Sequence, residues 1–178
     1  MAAELKKLVT AEGCYKEPSV ARIEIFVKDI DLLSWLSQQQ VKTKIYGSHQ
    51  TGAYAIAGVG EALRVSGDTI ESHAKIFQRL RLYLNSENKR MQFYGGFCFD
   101  EQNLGREWSS FGAYKFVVPQ FEVATKDGMM IFSCNVIQHG QATKTIDVVL
   151  AELERLRWDE QPLKVVDVSL DTRRDDPT

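Results

Sequence analysis

The sequence is poor in cysteine and histidine, has no long apolar run and carries no surplus of charge of either sign. Its three cysteines, Cys14, Cys98 and Cys134, are odd in number, far apart and never spaced Cys-x-x-Cys. That pattern excludes a disulfide framework. Cys98 and Cys134 stand in apolar runs, where a free thiol behaves as a small hydrophobe, so a reducing, cytoplasmic setting is expected. No stretch approaches the roughly 18 apolar residues of a membrane-spanning helix. Residues 1–13 mix Lys and Glu with Leu and Val instead of forming the apolar core of a secretory signal. Lys and Arg number 22 against 24 Asp and Glu, a net charge of −2, so neither nucleic acid nor membrane is an expected partner. The short basic clusters, Lys6-Lys7, Arg79 with Arg81, Lys89-Arg90 and Arg173-Arg174, read as solvated faces.

What is present is an ordinary globular composition, 44% hydrophobic and 10% aromatic over 178 residues, enough for one domain with a substantial core. Ala21, Ile23, Ile25 and Val27 alternate with Arg22, Glu24 and Phe26, the period of a half-buried strand. Asp29 is placed to cap a helix reaching Gln39 with Ile30, Leu33 and Leu36 inward. Lys44–Tyr46 and Ala53–Val59 read as strands. Asp68, three residues before Glu71, predicts a capped helix with Ile70, Phe77, Leu80 and Leu84 as its stripe. Met91 to Asp100 alternates, with Met91, Phe93, Phe97 and Phe99 on one side and Gly95-Gly96 marking a bulge or a close backbone approach. A polar loop over residues 101–110 precedes a strand over 113–118. Strands over 121–126 and 129–136 flank Asp127-Gly128, a two-residue hairpin signal. A helix over 143–157 carries the stripe Ile146, Val149, Leu150, Leu153 and Leu156. Leu163–Val168 reads as a strand before a polar tail. The fold class expected is α+β, a mostly antiparallel sheet with about three helices.

None of the chemistry-bearing residues assembles a site by spacing. His49, His73 and His139 lack the short separations of metal ligands and read as structural. Gly58-Val59-Gly60 follows a strand, but Leu63 stands where the dinucleotide fingerprint needs its third glycine; these read as turn glycines. No Gly-x-Ser-x-Gly elbow occurs. Asp100, Glu101 and Glu107 lie in loops without a visible partner, and Trp35, Trp108 and Trp158 read as core or rim anchors. Lys164, in an apolar strand, could be a base of lowered pKa by desolvation, although an edge lysine on a solvent face is the plainer reading. No catalytic residue and no metal ligand is assigned.

Three stretches in order resemble the front half of isochorismate synthases, in the chorismate-binding enzyme family. They are Lys44-Ile45-Tyr46-Gly47-Ser48-His49 leading into Ala57-Gly58-Val59-Gly60-Glu61-Ala62, then Tyr94-Gly95-Gly96-Phe97-Cys98-Phe99-Asp100, then Trp108 with Phe111 through Pro119, ending in Phe121-Glu122. The similarity covers about residues 20–158 and departs at Gly47, where an aromatic is usual. It implies the N-terminal half of a large α/β sandwich and a Mg²⁺-dependent isomerase of chorismate, on a menaquinone, phylloquinone or salicylate-type route. In that family a lysine base activates water, a glutamic acid protonates the departing hydroxyl, and further glutamates hold the metal, all in the C-terminal half. Lys164-Val165-Val166 matches only the first three residues of the family's Lys-Val-Val-Leu-Ala-Arg strand, so no catalytic residue is carried over.

The expectation is therefore a scaffold portion: residues 1–19 an extension, 20–158 the N-terminal part of the chorismate-binding type of domain, 159–178 a strand and polar tail. Alone it is expected to be inactive and to need no cofactor, with Mg²⁺ and chorismate belonging to the complete enzyme. Its expected partner is the missing C-terminal half, or further copies of itself through open strand edges. The alternatives are the front half of an anthranilate or salicylate synthase, and a stand-alone binding or regulatory module.

Overall fold

A computed structural model of the chain describes residues 19–50, 54–70, 72–84, 91–99, 110–126, 128–138 and 146–158. The elements are β1 (Ser19–Phe26), α1 (Leu32–Gln38), β2 (Lys44–Ser48), β3 (Tyr54–Val59), β4 (Leu63–Gly67), α2 (His73–Arg81), β5 (Tyr94–Phe97), β6 (Tyr114–Val118), β7 (Phe121–Lys126), β8 (Met129–Gln138) and α3 (Ile146–Glu154). They form a five-stranded sheet in the order β1-β8-β7-β3-β2 and a three-stranded sheet in the order β4-β6-β5. Every pairing between them is antiparallel. This is the expected α+β class with three helices. Among the described residues no helix is long and apolar enough to cross a membrane.

Alternation decides which face of the large sheet each side chain joins. Phe132 and Cys134 of β8, Phe121 and Val123 of β7, and Ala57 and Val59 of β3 point to one side, where Leu32, Trp35 and Leu36 of α1 and Val149 of α3 complete a single buried cluster. The predicted stripe of α3, from Ile146 through Leu156, packs on that cluster. Gln39, 3% exposed, ties the two helices at their ends. Its amide donates to the carbonyls of Trp35 and Arg157, both at 2.8 Å, and its oxygen accepts from Arg157 N at 3.1 Å. Trp158 is thereby held 4.9 Å from Phe132, edge to face.

The two sheets share continuous chain at a corner. β3 runs into β4 through Gly60-Glu61-Ala62, and β6 runs into β7 through Pro119-Gln120. The turns lock together: Gln120 N donates to Val59 O at 3.1 Å and Ala62 N to Val118 O at 2.9 Å. Gly60 adopts φ +69°, a left-handed conformation that favours glycine, which agrees with a turn rather than a phosphate loop. At Gly95 the need is for space, since a Cβ there would lie 1.9 Å from the Lys115 carbonyl oxygen. Gly96 has nothing within 4 Å, so only the first glycine of the pair is forced by close approach.

Several boundaries differ from expectation, each for a tertiary reason. α1 is capped by Asp31, whose carboxylate accepts from Ser34 N at 2.6 Å, not by Asp29. Backbone contacts of β1 continue past its end, with Val27 N on Met130 O and Ile30 N on Met130 Sδ, and delay the helix. Its buried face is Leu32, Trp35 and Leu36, while Leu33 is exposed. α2 begins at His73 rather than near Asp68, because residues 63–67 form an unforeseen strand, β4, and Gly67 O is taken by Ala113 N at 2.8 Å. Its buried residues are Ile76 and Leu80, whereas Phe77 and Leu84 are exposed. β5 is limited to four residues and Phe99 is 97% exposed, so Phe99 does not share the buried side of Met91. The β7–β8 hairpin turns where expected, with Lys126 opposite Met129 and Gly128 at φ +75°. The expected strand at 163–168 lies outside the described residues.

Candidate functional site

On the face of the large sheet turned away from the helices, register brings polar side chains together. Arg22 of β1 stands opposite Asn135 of β8, and Glu122 of β7 stands opposite Ser133 of β8 and Gly58 of β3. Arg22 is long enough to reach across β8. Its Nη2 lies 2.7 Å from Glu122 Oε1, its Nη1 3.2 Å from Asn135 Oδ1, and its Nε 2.7 Å from Glu24 Oε1. Arg22 and Glu122 side chains are 6% and 2% exposed. One fork of donors thus stitches three strands, a geometry only guanidinium supplies.

The cluster continues into the corner between the sheets. Asn135 Nδ2 donates to Pro119 O at 2.8 Å, Asn135 N to Gln120 O at 2.9 Å, and the Gln120 amide donates back to Asn135 O. Across the gap to the small sheet the hydroxyls of Tyr54 and Tyr94 meet at 3.1 Å. Glu122 Oε2 and Ser133 Oγ are buried and lack a hydrogen-bond partner among the described residues.

Burial dominates the ionisation of this group. It lifts Glu122 above the ordinary carboxylate value, and the Arg22 guanidinium offsets only part of that rise. It also lifts Tyr54 and, more strongly, Tyr94, with the charge of Glu122 adding to both. Arg22 is raised despite burial, because Glu122 and Glu24 bond to it. The tyrosines are therefore neutral hydroxyls near pH 7, hydrogen-bonding but not basic. This arrangement can brace strands, with Arg22 ion-paired to one oxygen each of Glu24 and Glu122.

Glu24 and Glu122 both face Arg22 at 2.7 Å, and Glu61 has Arg64 and Lys115 each at 3.4 Å. Among the described residues no three His, Cys, Asp or Glu side chains gather as a metal site. Each of these carboxylates is instead neutralised by a cation of the chain itself.

The residues singled out in the sequence are scattered. His73, at the start of α2, stacks edge-on against Phe97 at 4.4 Å. His49 follows β2 and is exposed. Cys98 and Cys134 are buried in different core clusters, and burial pushes the Cys134 thiol up to about 12, which makes it inert at neutral pH. Trp35 is a core anchor and Trp158 a half-exposed rim residue. Cys14, Asp100, Glu101, Glu107, Trp108, His139 and Lys164 lie outside the described residues. Arg22, Asn135 and the burial of Glu122 escaped the sequence reading. The available signal was a charge set inside an apolar strand, as in Phe121-Glu122-Val123.

Comparison with known proteins adds three findings. The family model described as "Chorismate binding enzyme" matches residues 5–173. Isochorismate synthase 2, chloroplastic, of Arabidopsis thaliana is 27% identical over 130 residues, 72% of this chain and 22% of that protein. Among solved structures, MenF, the menaquinone-specific isochorismate synthase from Escherichia coli, superposes with a TM-score of 0.62 at 17% identity, over 92% of this chain and 36% of that one. The likeness to MenF is one of fold. The chain spans about a fifth of its plant relative and about a third of MenF.

Proposed function

Because this chain belongs to the chorismate binding enzyme family, we propose that it is the N-terminal scaffold portion of an enzyme that isomerises chorismate to isochorismate. The observation that carries this reading is one of coverage. The family match takes in almost the whole chain, yet the chain answers to 22% and 36% of two isochorismate synthases. The described ionisable groups support it, since Arg22, Glu24, Glu61 and Glu122 are each ion-paired within the chain. On this reading the acid, the base and the Mg²⁺ ligands lie in further chain, which completes the sandwich. The buried thiols Cys98 and Cys134 suit a reducing cytoplasm.

The test is to incubate the purified chain with chorismate and Mg²⁺, alone and together with the C-terminal portion of an isochorismate synthase bearing the Lys-Val-Val-Leu-Ala-Arg strand. The expected outcome is no isochorismate from the chain alone and turnover from the pair. Isochorismate formed by the chain alone overturns the reading, and so does a reconstituted pair that stays inactive.

A further inference from the structure

The geometry points to a ligand site outside that cluster: an open cleft beside β4 that takes a small organic anion with two negative charges, as paired carboxylates or a phosphate monoester, on an apolar body. The cleft holds about 570 Å³, within the range of small-molecule pockets. Four cations line it, Lys42 ahead of β2, Arg64 on β4, Arg79 on α2 and Lys115 on β6, against one described carboxylate, Glu61. A chain of net charge −2 therefore gathers a local excess of positive charge in one concavity, where the low-dielectric walls focus the field. A basic run on one helix would be a solvated face. These four come from four separate elements, so only the fold brings them together.

Two features preorganise the cleft. Arg79 Nη1 donates to the Tyr114 hydroxyl at 3.2 Å, and Tyr114 is buried, so one guanidinium is anchored before a ligand arrives. Glu61 holds Arg64 and Lys115 at 3.4 Å each and accepts from the Thr43 hydroxyl at 2.6 Å. It acts as an internal counter-ion that an incoming anion would replace at Lys115. Ala62, Leu63, Val65 and Leu82 form the apolar part of the wall, which favours a ligand with a hydrocarbon or ring body over a bare inorganic ion. This inference does not depend on the scaffold reading, and its test measures binding rather than turnover.

Calorimetric titration of the full chain decides it, with phthalate and phenyl phosphate as the two dianionic probes, benzoate as a monoanion and inorganic phosphate as a dianion without a body. At least one dianionic probe should bind saturably, more weakly as salt rises, and at least about tenfold tighter than benzoate or inorganic phosphate. Which probe wins identifies carboxylate or phosphate as the group recognised. Arg79→Gln and Lys115→Gln, each confirmed folded by circular dichroism, should each weaken that binding about tenfold. Glu61→Gln should tighten it severalfold by freeing the cations, a change of sign that a purely structural role would not produce. No saturable binding of either dianion at about 10 mM, or binding indifferent to all three substitutions, overturns the site. Equal affinity for benzoate overturns the two-charge requirement.

Discussion

Glu122 and Glu61 are the same side chain beside the same kind of cation, and their surroundings give them opposite characters. Glu122 is 2% exposed and held by a guanidinium that is itself 6% exposed, so burial wins and its carboxyl is lifted above the usual range. Glu61 is 21% exposed at the rim of an open cleft. Burial raises its pKa too, but the Thr43 hydrogen bond with Arg64 and Lys115 outweighs it, and the carboxyl is held low. A pair sealed between strands can only organise the fold. A pair at the edge of a cleft can exchange one partner for a ligand.

The largest expected effect tests the sealed pair. Arg22→Ala leaves Glu122 buried without its cation and should cost about 3–5 kcal/mol at neutral pH by urea unfolding, whereas Arg22→Met with Glu122→Leu should recover most of the loss. The penalty should shrink on acidification, as the abandoned carboxyl takes up a proton. A loss below about 1 kcal/mol would mean that the stitch across β1, β8 and β7 is not needed.

A middle-sized effect is in the pH dependence. The raised Glu122 keeps its proton in the folded state above the ordinary value of 4.5, so folding stability falls as pH climbs from about 4.5 toward the folded-state value. The lowered Glu61 works the other way: its contribution is present above 4.5 and is lost as pH drops through its folded-state value. Carbon-detected NMR of the carboxyl groups should find the two midpoints on opposite sides of 4.5. Both on one side would erase the contrast. The smallest effect should come from Glu61→Gln, under about 1 kcal/mol of stability because its pairs are partly exposed. A larger thermal-melt loss would make Glu61 as structural as Glu122.

Much of the scaffold was legible in the chain because the signal was local. The alternation of β1, the hairpin between β7 and β8 with Gly128 at its turn, and the 3.6-residue stripe of α3 each rest on neighbours along the sequence, and all three reappear in the fold. β4 was missed because Leu63–Gly67 is short and is held as a strand by pairing with β6. The caps shifted to Asp31 and Ser72 because strand contacts upstream claimed residues that looked free. The polar cluster was illegible for a similar reason. Alternation marks Arg22 and Glu122 as belonging to one face, but it cannot say whether that face is wet.

The sequence by itself determined the class of structure, the apolar faces that had to be buried, the glycine at the β7–β8 turn and the family resemblance, since each is written in the order of residues. Only the tertiary structure decided which charges would be sealed and which left open. That choice depends on how two sheets meet at the corner formed by Gly60 and Pro119-Gln120. The electrostatic environment of a carboxylate is set by atoms distant in the chain and close in space.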